Sequence, residues 1–263
     1  MNRQFLDIQD LACGYDRQMV LHHINFQAQK GEVVTIIGPN GSGKTTLLKT
    51  IPGLIHALEG YALLDQEDLS QMPAKLKAKR VAMVMQPMES IYMTVEEYVL
   101  LGRLPYFKTY QFIEDPSDIR AADKYLEYTG ISHLKGESLS RISSGERQLA
   151  TIAKALAQEP ELLLMDEPTS HLDISHQAQI LKLITDLKQQ HDLTVVMVQH
   201  DLNLAGEYSD QVILLDKETQ TLYKSGSPKE VITEAHIRAV YHTDVVVESN
   251  PHSGRPGVFL RKS

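Results

Sequence analysis

Gly38-Pro39-Asn40-Gly41-Ser42-Gly43-Lys44-Thr45-Thr46 follows the apolar run Val33-Val34-Thr35-Ile36-Ile37 and opens onto Leu47-Leu48-Lys49. The spacing G-x-x-x-x-G-K-T, between a strand-like run and a helix-like one, is that of a phosphate-binding P-loop. A triphosphate needs many donors aimed at one point, and glycines let backbone N–H groups crowd around it where any Cβ would intrude. Lys44 adds a cation. A helix beginning near Gly43 turns its unpaired N–H groups and positive dipole end toward the same phosphates, while the Thr45 hydroxyl is placed to bind Mg²⁺.

Outward from this loop, 263 residues suffice for one large domain or two unequal ones with a buried core. A net charge of −8 argues against a polyanion-binding surface, since neutralising phosphates takes clustered Lys and Arg, so no nucleic-acid partner is expected. The basic stretch Lys75-Leu76-Lys77-Ala78-Lys79-Arg80 reads as a solvated helix face. The single cysteine, Cys13, cannot form an internal disulfide and suggests a reducing compartment. The first residues, Met1 to Phe5, lack the apolar core of a signal peptide, and no run approaches the roughly eighteen apolar residues of a membrane span. Any membrane role is therefore expected to come through a partner.

Residues 3–36 read as short strands joined by turns and feeding the P-loop strand. Gly60 to Leu64 and Val81 to Met85 read as two more strands, the second ending in Gln86-Pro87. From Val95 to about Gln158 the pattern turns helical, marking an inserted subdomain. Within it Ile119 to Tyr128 reads as a charged surface helix, and Arg147 to Ala157 as a helix whose start carries the capping-box pattern Ser143-x-x-Glu146. Leu162 to Met165, Thr194 to Val198 and Val212 to Leu215 are apolar runs of strand length, the first two separated by an amphipathic helix. Strands apolar on both faces and separated by helices predict a mostly parallel sheet covered on both sides. Asp166 and Glu167 then stand at the end of a buried strand, where open α/β sheets bind their ligands. Asp166 is placed to hold Mg²⁺ and Glu167 to orient and deprotonate an attacking water; without the P-loop upstream, the same pair reads equally well as a strand running into a turn at Pro168.

Several further features match one family. The chain, over residues from about 3 to 240, resembles the ATP-binding subunit of an ABC transporter. Ile142-Ser143-Ser144-Gly145-Glu146 resembles that family's LSGGQ signature, with Ser144 in place of the first glycine and Glu146 in place of the glutamine. By the resemblance, Ser143, the Gly145 N–H and Glu146 address the γ-phosphate of a nucleotide held by a second copy; as bare sequence the stretch is a helix cap. Gln86 resembles the Q-loop glutamine that reaches Mg²⁺ and the attacking water, and His200 the switch histidine that contacts the γ-phosphate. Asp173, in Ser170-His171-Leu172-Asp173, resembles the D-loop aspartate at the dimer interface, and is also a fitting helix N-cap. Tyr15 resembles the aromatic that stacks on adenine, a core tyrosine being the competing reading.

The resemblance implies ATP and Mg²⁺, ATP hydrolysis coupled to transport, and an α/β fold. That fold has a P-loop NTPase core of mostly parallel sheet flanked by helices, an N-terminal antiparallel β part and an inserted α-helical subdomain. Core segments are expected at 1–92 and 159–240, the helical subdomain at 93–158 and a tail at 241–263. Met93 to Tyr106, together with Thr169 to Asp173, is similar to subunits that energise uptake of iron-siderophore, haem and cobalamin chelates. The implied partners are a second copy in an ATP-sandwich dimer, a polytopic membrane permease docking near Gln86 to Tyr92, and indirectly an extracellular substrate-binding protein. That places the chain peripherally at the cytoplasmic face of the membrane. A soluble ABC ATPase in an assembly role, such as iron-sulfur cluster biogenesis, is the rival from another class. DNA-repair relatives are disfavoured because they carry a long coiled coil between P-loop and signature, and translation-factor relatives because they carry two such cassettes.

Overall fold

The computed structural model describes residues 4–15, 18–85, 92–111 and 113–261. In chain order, β1 (Gln4–Tyr15), β2 (Gln18–Gln29) and β3 (Val33–Ile37) lead through the P-loop to α1 (Lys44–Thr50), β4 (Glu59–Leu64) and β5 (Glu67–Asp68). Then come α2 (Ala74–Arg80), β6 (Val81–Val84), α3 (Val95–Leu100), a 3-10 turn over Leu101–Tyr106, α4 (Pro116–Tyr128), α5 (Ser144–Leu156), β7 (Leu162–Asp166) and α6 (Ile174–His191). The chain continues with β8 (Thr194–Val198), α7 (Leu202–Tyr208), β9 (Gln211–Asp216), β10 (Thr221–Gly226), α8 (Pro228–Val231), α9 (Glu234–Tyr241), β11 (Val245–Ser249) and β12 (Pro256–Leu260). The chain divides into two compact units, residues 1–72 with 194–263, and residues 73–193.

In the first unit β3 lies between β8 and β9, parallel to both, and β10 pairs antiparallel with β9. All five residues of β3 and all five of β8 are buried, as strands covered on both faces must be. The N-terminal antiparallel sheet runs β2-β1-β4-β5. Where the sequence reads as several short strands, β1 and β2 are single strands of twelve residues. Both break their alternation at left-handed residues, Asp10 with φ 45° and His23 with φ 52°, and the two side chains meet across the strands, His23 Nδ1 to Asp10 Oδ1 at 2.7 Å. The bulges bend and twist the pair, interrupting the period-two pattern that a strand is recognised by. After β10 the chain packs Val231, Ile232 and Val240 against Ile37, Val212 and Leu214, so the C-terminal helices close one side of the strand that carries the P-loop.

In the second unit β6 and β7 are parallel, in register from Val81 opposite Leu162 to Val84 opposite Met165. Arg80 and Glu161, just before the two strands, are joined by a two-armed ion pair with both N···O distances 3.1 Å. The helices α3, α4 and α5 pack around Arg103, whose side chain is only 7% exposed. Its guanidinium donates to Asp118 Oδ1 at 3.1 Å, to Glu159 Oε2 at 2.8 Å and to the Ala157 carbonyl at 2.8 Å, and lies over the Tyr106 ring. Two carboxylates, a carbonyl and an aromatic face satisfy the buried fork, the arrangement that makes a charge tolerable inside a protein.

Candidate nucleotide site and its counterpart helix

The P-loop leaves β3, whose order and burial fix where Gly38 emerges. Lys44 is 6% exposed and its Nζ donates to the carbonyls of Gly38 at 2.8 Å and Pro39 at 3.0 Å, folding the loop over its own first helical residue. Gly43 is the N-cap of α1 in the left-handed region, φ 88°, and makes no side-chain cap. A Cβ there would be strained by the backbone and would also press to within 2.9 Å of Leu21 and Val20 side-chain carbons. A glycine start gives α1 no side-chain cap of its own, which suits an external anion. Ser42 Oγ is buried with no hydrogen-bond partner among the described residues, an orphaned polar atom of the kind a phosphate oxygen completes. Pro39, Asn40 and Gly41 complete the loop, and Thr45 and Thr46 are the second and third residues of α1. The donor set fits a nucleotide triphosphate.

The same unit holds four further residues. Tyr15 ends β1 and is half exposed. Gln199 is buried at the end of β8, its N–H donating to the Ile36 carbonyl, and His200 emerges exposed one residue on, just before the α7 N-cap Asp201. Tyr241, at the end of α9, has its phenol pushed above its usual range by burial, while the Gly38 backbone N–H donates to its oxygen. That contact with the first P-loop glycine comes from two hundred residues downstream, and no local sequence signal announces it.

Asp166 ends β7 and Glu167 follows it, both part-buried in the second unit. Glu167 is left-handed, φ 49°, as is His171, φ 59°. Ser170 holds this turn by donating both its N–H, at 3.1 Å, and its Oγ, at 3.0 Å, to the Glu167 carbonyl. A non-glycine residue kept in the left-handed region at a strand end is strain of the kind that collects at working sites. Asp173 caps α6, accepting from the His176 N–H at 2.9 Å and the Ser175 hydroxyl at 2.8 Å. These donors, with the His176 ring, pull its carboxyl down to about 2.

The expected capping box at Ser143 is formed, and α5 runs Ser144–Leu156. Ser143 Oγ accepts the Glu146 N–H at 3.2 Å, and the Glu146 carboxylate accepts both the Ser143 N–H and the Ser143 hydroxyl at 2.7 Å. Ser143 hydrogen bonds hold the Glu146 carboxyl below its usual value. Ser143 and Ser144 are exposed and Gly145 is buried. Gln86 and the Pro87 to Ile91 part of the expected docking stretch lie outside the described residues; Tyr92, at its end, is 93% exposed.

The model of the ABC transporter family matches residues 21–170, more than half of the chain. The chain belongs to the ABC transporter family. Within that family this ATPase is 36% identical to the iron(3+)-hydroxamate import ATP-binding protein of Bacillus subtilis strain 168, over 95% of the chain and 93% of the relative. Its fold matches a metal-chelate type ABC transporter solved in an inward-facing conformation, with a TM-score of 0.84, 28% identity and 97% and 96% of the two chains covered. It also matches an ATP-binding cassette solved as a dimer in a post-hydrolysis state bound to ADP and Pi, with a TM-score of 0.72 and 26% identity over 84% of this chain and 98% of the other. The ABC subunit is accordingly an ATP-binding, ATP-hydrolysing chain of mixed α/β fold with an N-terminal antiparallel sheet, and its activity is coupled to transport. Among the described residues no helix is long and apolar enough to cross a membrane.

Proposed function

We propose that this ABC ATPase powers a type II importer for a metal chelate, an iron-siderophore being the favoured cargo. The observation that carries the reading is the uncapped, glycine-started α1 with the buried Ser42 Oγ beside it, in a chain whose relative imports iron(3+)-hydroxamate. Residues 93–158 form the helical subdomain between core segments 1–92 and 159–240. Two copies pack head to tail, each P-loop facing the Ser143 helix of the other, and ATP closes the pair. A polytopic permease docks by the Gln86 to Tyr92 stretch, so the ATPase sits at the cytoplasmic face of the membrane, and a substrate-binding protein delivers the chelate to the permease.

In this scheme the loop from Gly38 to Thr46 binds the phosphates and Tyr15 stacks on adenine. Lys44 offsets phosphate charge as it shifts toward the leaving group, and His200 holds the γ-phosphate. Thr45, Asp166 and Gln86 would hold Mg²⁺, which when bound neutralises the triphosphate. Glu167 orients the attacking water and takes its proton. Ser143, Gly145 and Glu146, with Asp173, form the edge that meets the nucleotide of the second copy.

Replacing the proposed base tests the chemistry. Glu167→Gln is expected to lower turnover by about a thousandfold or more while ATP still binds and holds a dimer. Hydrolysis at the normal rate in this variant would end the assignment. Co-purification with a polytopic membrane protein tests the importer reading, and its absence would favour a soluble assembly ATPase.

A further inference from the structure

Two turns of the second unit, the start of α5 and the Asp173 turn, meet at one side chain that the sequence motifs leave out. His176 lies in the first turn of α6, with its Nδ1 3.0 Å from Asp173 Oδ1. An ionised carboxylate only accepts, so Nδ1 carries the proton and donates. The far side of the imidazole covers Gly145. A Cβ on residue 145 would lie 2.7 Å from His176 Nε2 and closer still to Cγ and Cδ2. The ring is 26% exposed, so three quarters of it is enclosed by these two turns and their surroundings. Gly145 thus owes its missing side chain to a histidine thirty-one residues downstream.

We infer that His176 is a positioning residue that fastens the N-terminal turn of α5 to the Asp173 turn. The two segments that face the second copy are thereby presented as one edge. The inference rests on the ATP-sandwich reading above. Its physical basis is that the imidazole makes both of its contacts at once. The hydrogen bond fixes the ring plane, and the fixed ring sets how closely Gly145 and the Ser144 N–H can approach Asp173. Without the ring, the two helix starts have no such spacer, and a donor group misplaced by a fraction of an ångström loses much of its worth to an anion.

The test uses the full chain carrying Glu167→Gln, so that ATP is bound and not consumed. Dimer formation is followed by sedimentation as ATP is raised, and nucleotide binding by the dilute monomer is followed with a fluorescent ATP analogue. Glu167→Gln alone is expected to dimerise with ATP. Adding His176→Ala is expected to raise the ATP needed for dimerisation about tenfold, with monomer binding unchanged. His176→Asn keeps a donor at the Nδ1 position and is expected to recover part of that loss, which a purely space-filling role would not give. Dimerisation at the same ATP concentration with His176→Ala overturns the inference. So does a loss matched by equal weakening of monomer binding, because that marks a general folding defect. If Glu167→Gln alone fails to dimerise, the sandwich reading itself falls and the inference falls with it, an outcome distinct from the other two.

Discussion

The starts of α1 and α5 are both helix N-termini from which a role toward phosphate is read, yet they are built in opposite ways. At α1 the N-cap is a left-handed glycine without a side-chain cap, and the adjoining Ser42 hydroxyl is buried with no partner among the described residues. At α5 the N-cap is a serine locked into a full capping box, and a carboxylate already sits on the helix start. The first helix has no side-chain cap of its own, and its unit supplies a cation, Lys44, that donates to the loop carbonyls. The second is complete by itself and is stiffened by its own residues. A site that must hold an anion through a cycle profits from unfilled donors, whereas an edge that must arrive in register from another copy profits from internal rigidity. Such a division of labour makes specific variants informative about each helix.

The largest effect is expected from Lys44→Ala. It removes the charge that the loop carbonyls hold, and truncating a buried charge that pairs with an anion costs on the order of a hundredfold or more in affinity. Titration with a fluorescent ATP analogue should show that loss, with the α5 edge untouched. Retained affinity would mean that the backbone donors of α1 carry the phosphates without the cation. Gly43→Ala comes next. A Cβ at φ 88° lies in a region that only glycine enters freely, and the Leu21 and Val20 contacts add to it. A loss of ~1–3 kcal/mol in denaturant unfolding is expected, together with weaker nucleotide binding. No loss of stability would show that the α1 start relaxes more readily than its backbone indicates.

Gly145→Ala sharpens the contrast, because here no left-handed φ is involved. The nearest atoms that bar a side chain at Gly145 all belong to the His176 ring, so the expected cost is that of overpacking, ~1–3 kcal/mol. Stability should be largely restored by adding His176→Ala, which makes room for the methyl group. Gly43→Ala should have no such partner, since shaving Leu21 or Val20 leaves the backbone strain in place. If His176→Ala fails to rescue Gly145→Ala in thermal unfolding, the ring is not what excludes a side chain at 145.

Both halves of this comparison are announced by contiguous sequence. The P-loop and its strand are contiguous, and the five buried residues of β3 carry their apolar signal without interruption. The Ser143-x-x-Glu146 box is equally local, and the structure forms it with both reciprocal bonds. Contacts that bring distant residues together have no such trace. His176 over Gly145, Tyr241 on the Gly38 N–H and the Arg103 cluster each join segments far apart in sequence. Arg103 in particular stands in the Val95 to Gln158 stretch whose pattern reads only as helical, and only the positions of Asp118 and Glu159 reveal that it is buried. The C-terminal strands β11 and β12 lie in the stretch read only as a tail. They pair with each other, Val245 opposite Leu260, and β12 is tied to α7 by Asn203, which bonds both the N–H and the carbonyl of Val258.

The smallest expected effect concerns the carboxylate that separates the two helix starts most clearly. Glu146 is held below its usual 4.5 by Ser143, so it is anionic at neutral pH on the very turn proposed to meet a γ-phosphate. A lowered folded value means that the capping box contributes stability fully above about pH 4.5 and loses it as pH falls through the lower folded value. Glu146→Gln keeps an oxygen to accept the Ser143 N–H while removing the charge. Two effects of opposite sign should follow. Unfolding stability at neutral pH should drop slightly, because the negative charge no longer interacts with the positive end of α5, and its acid dependence from this residue should vanish. Dimerisation in the Glu167→Gln background should need about twofold less ATP, because one like charge no longer faces the phosphates. Stability and dimerisation moving in the same direction would show that the Glu146 carboxylate lies outside the field of the second nucleotide, and the α5 start would then serve as a rigid shoulder instead of an anion contact.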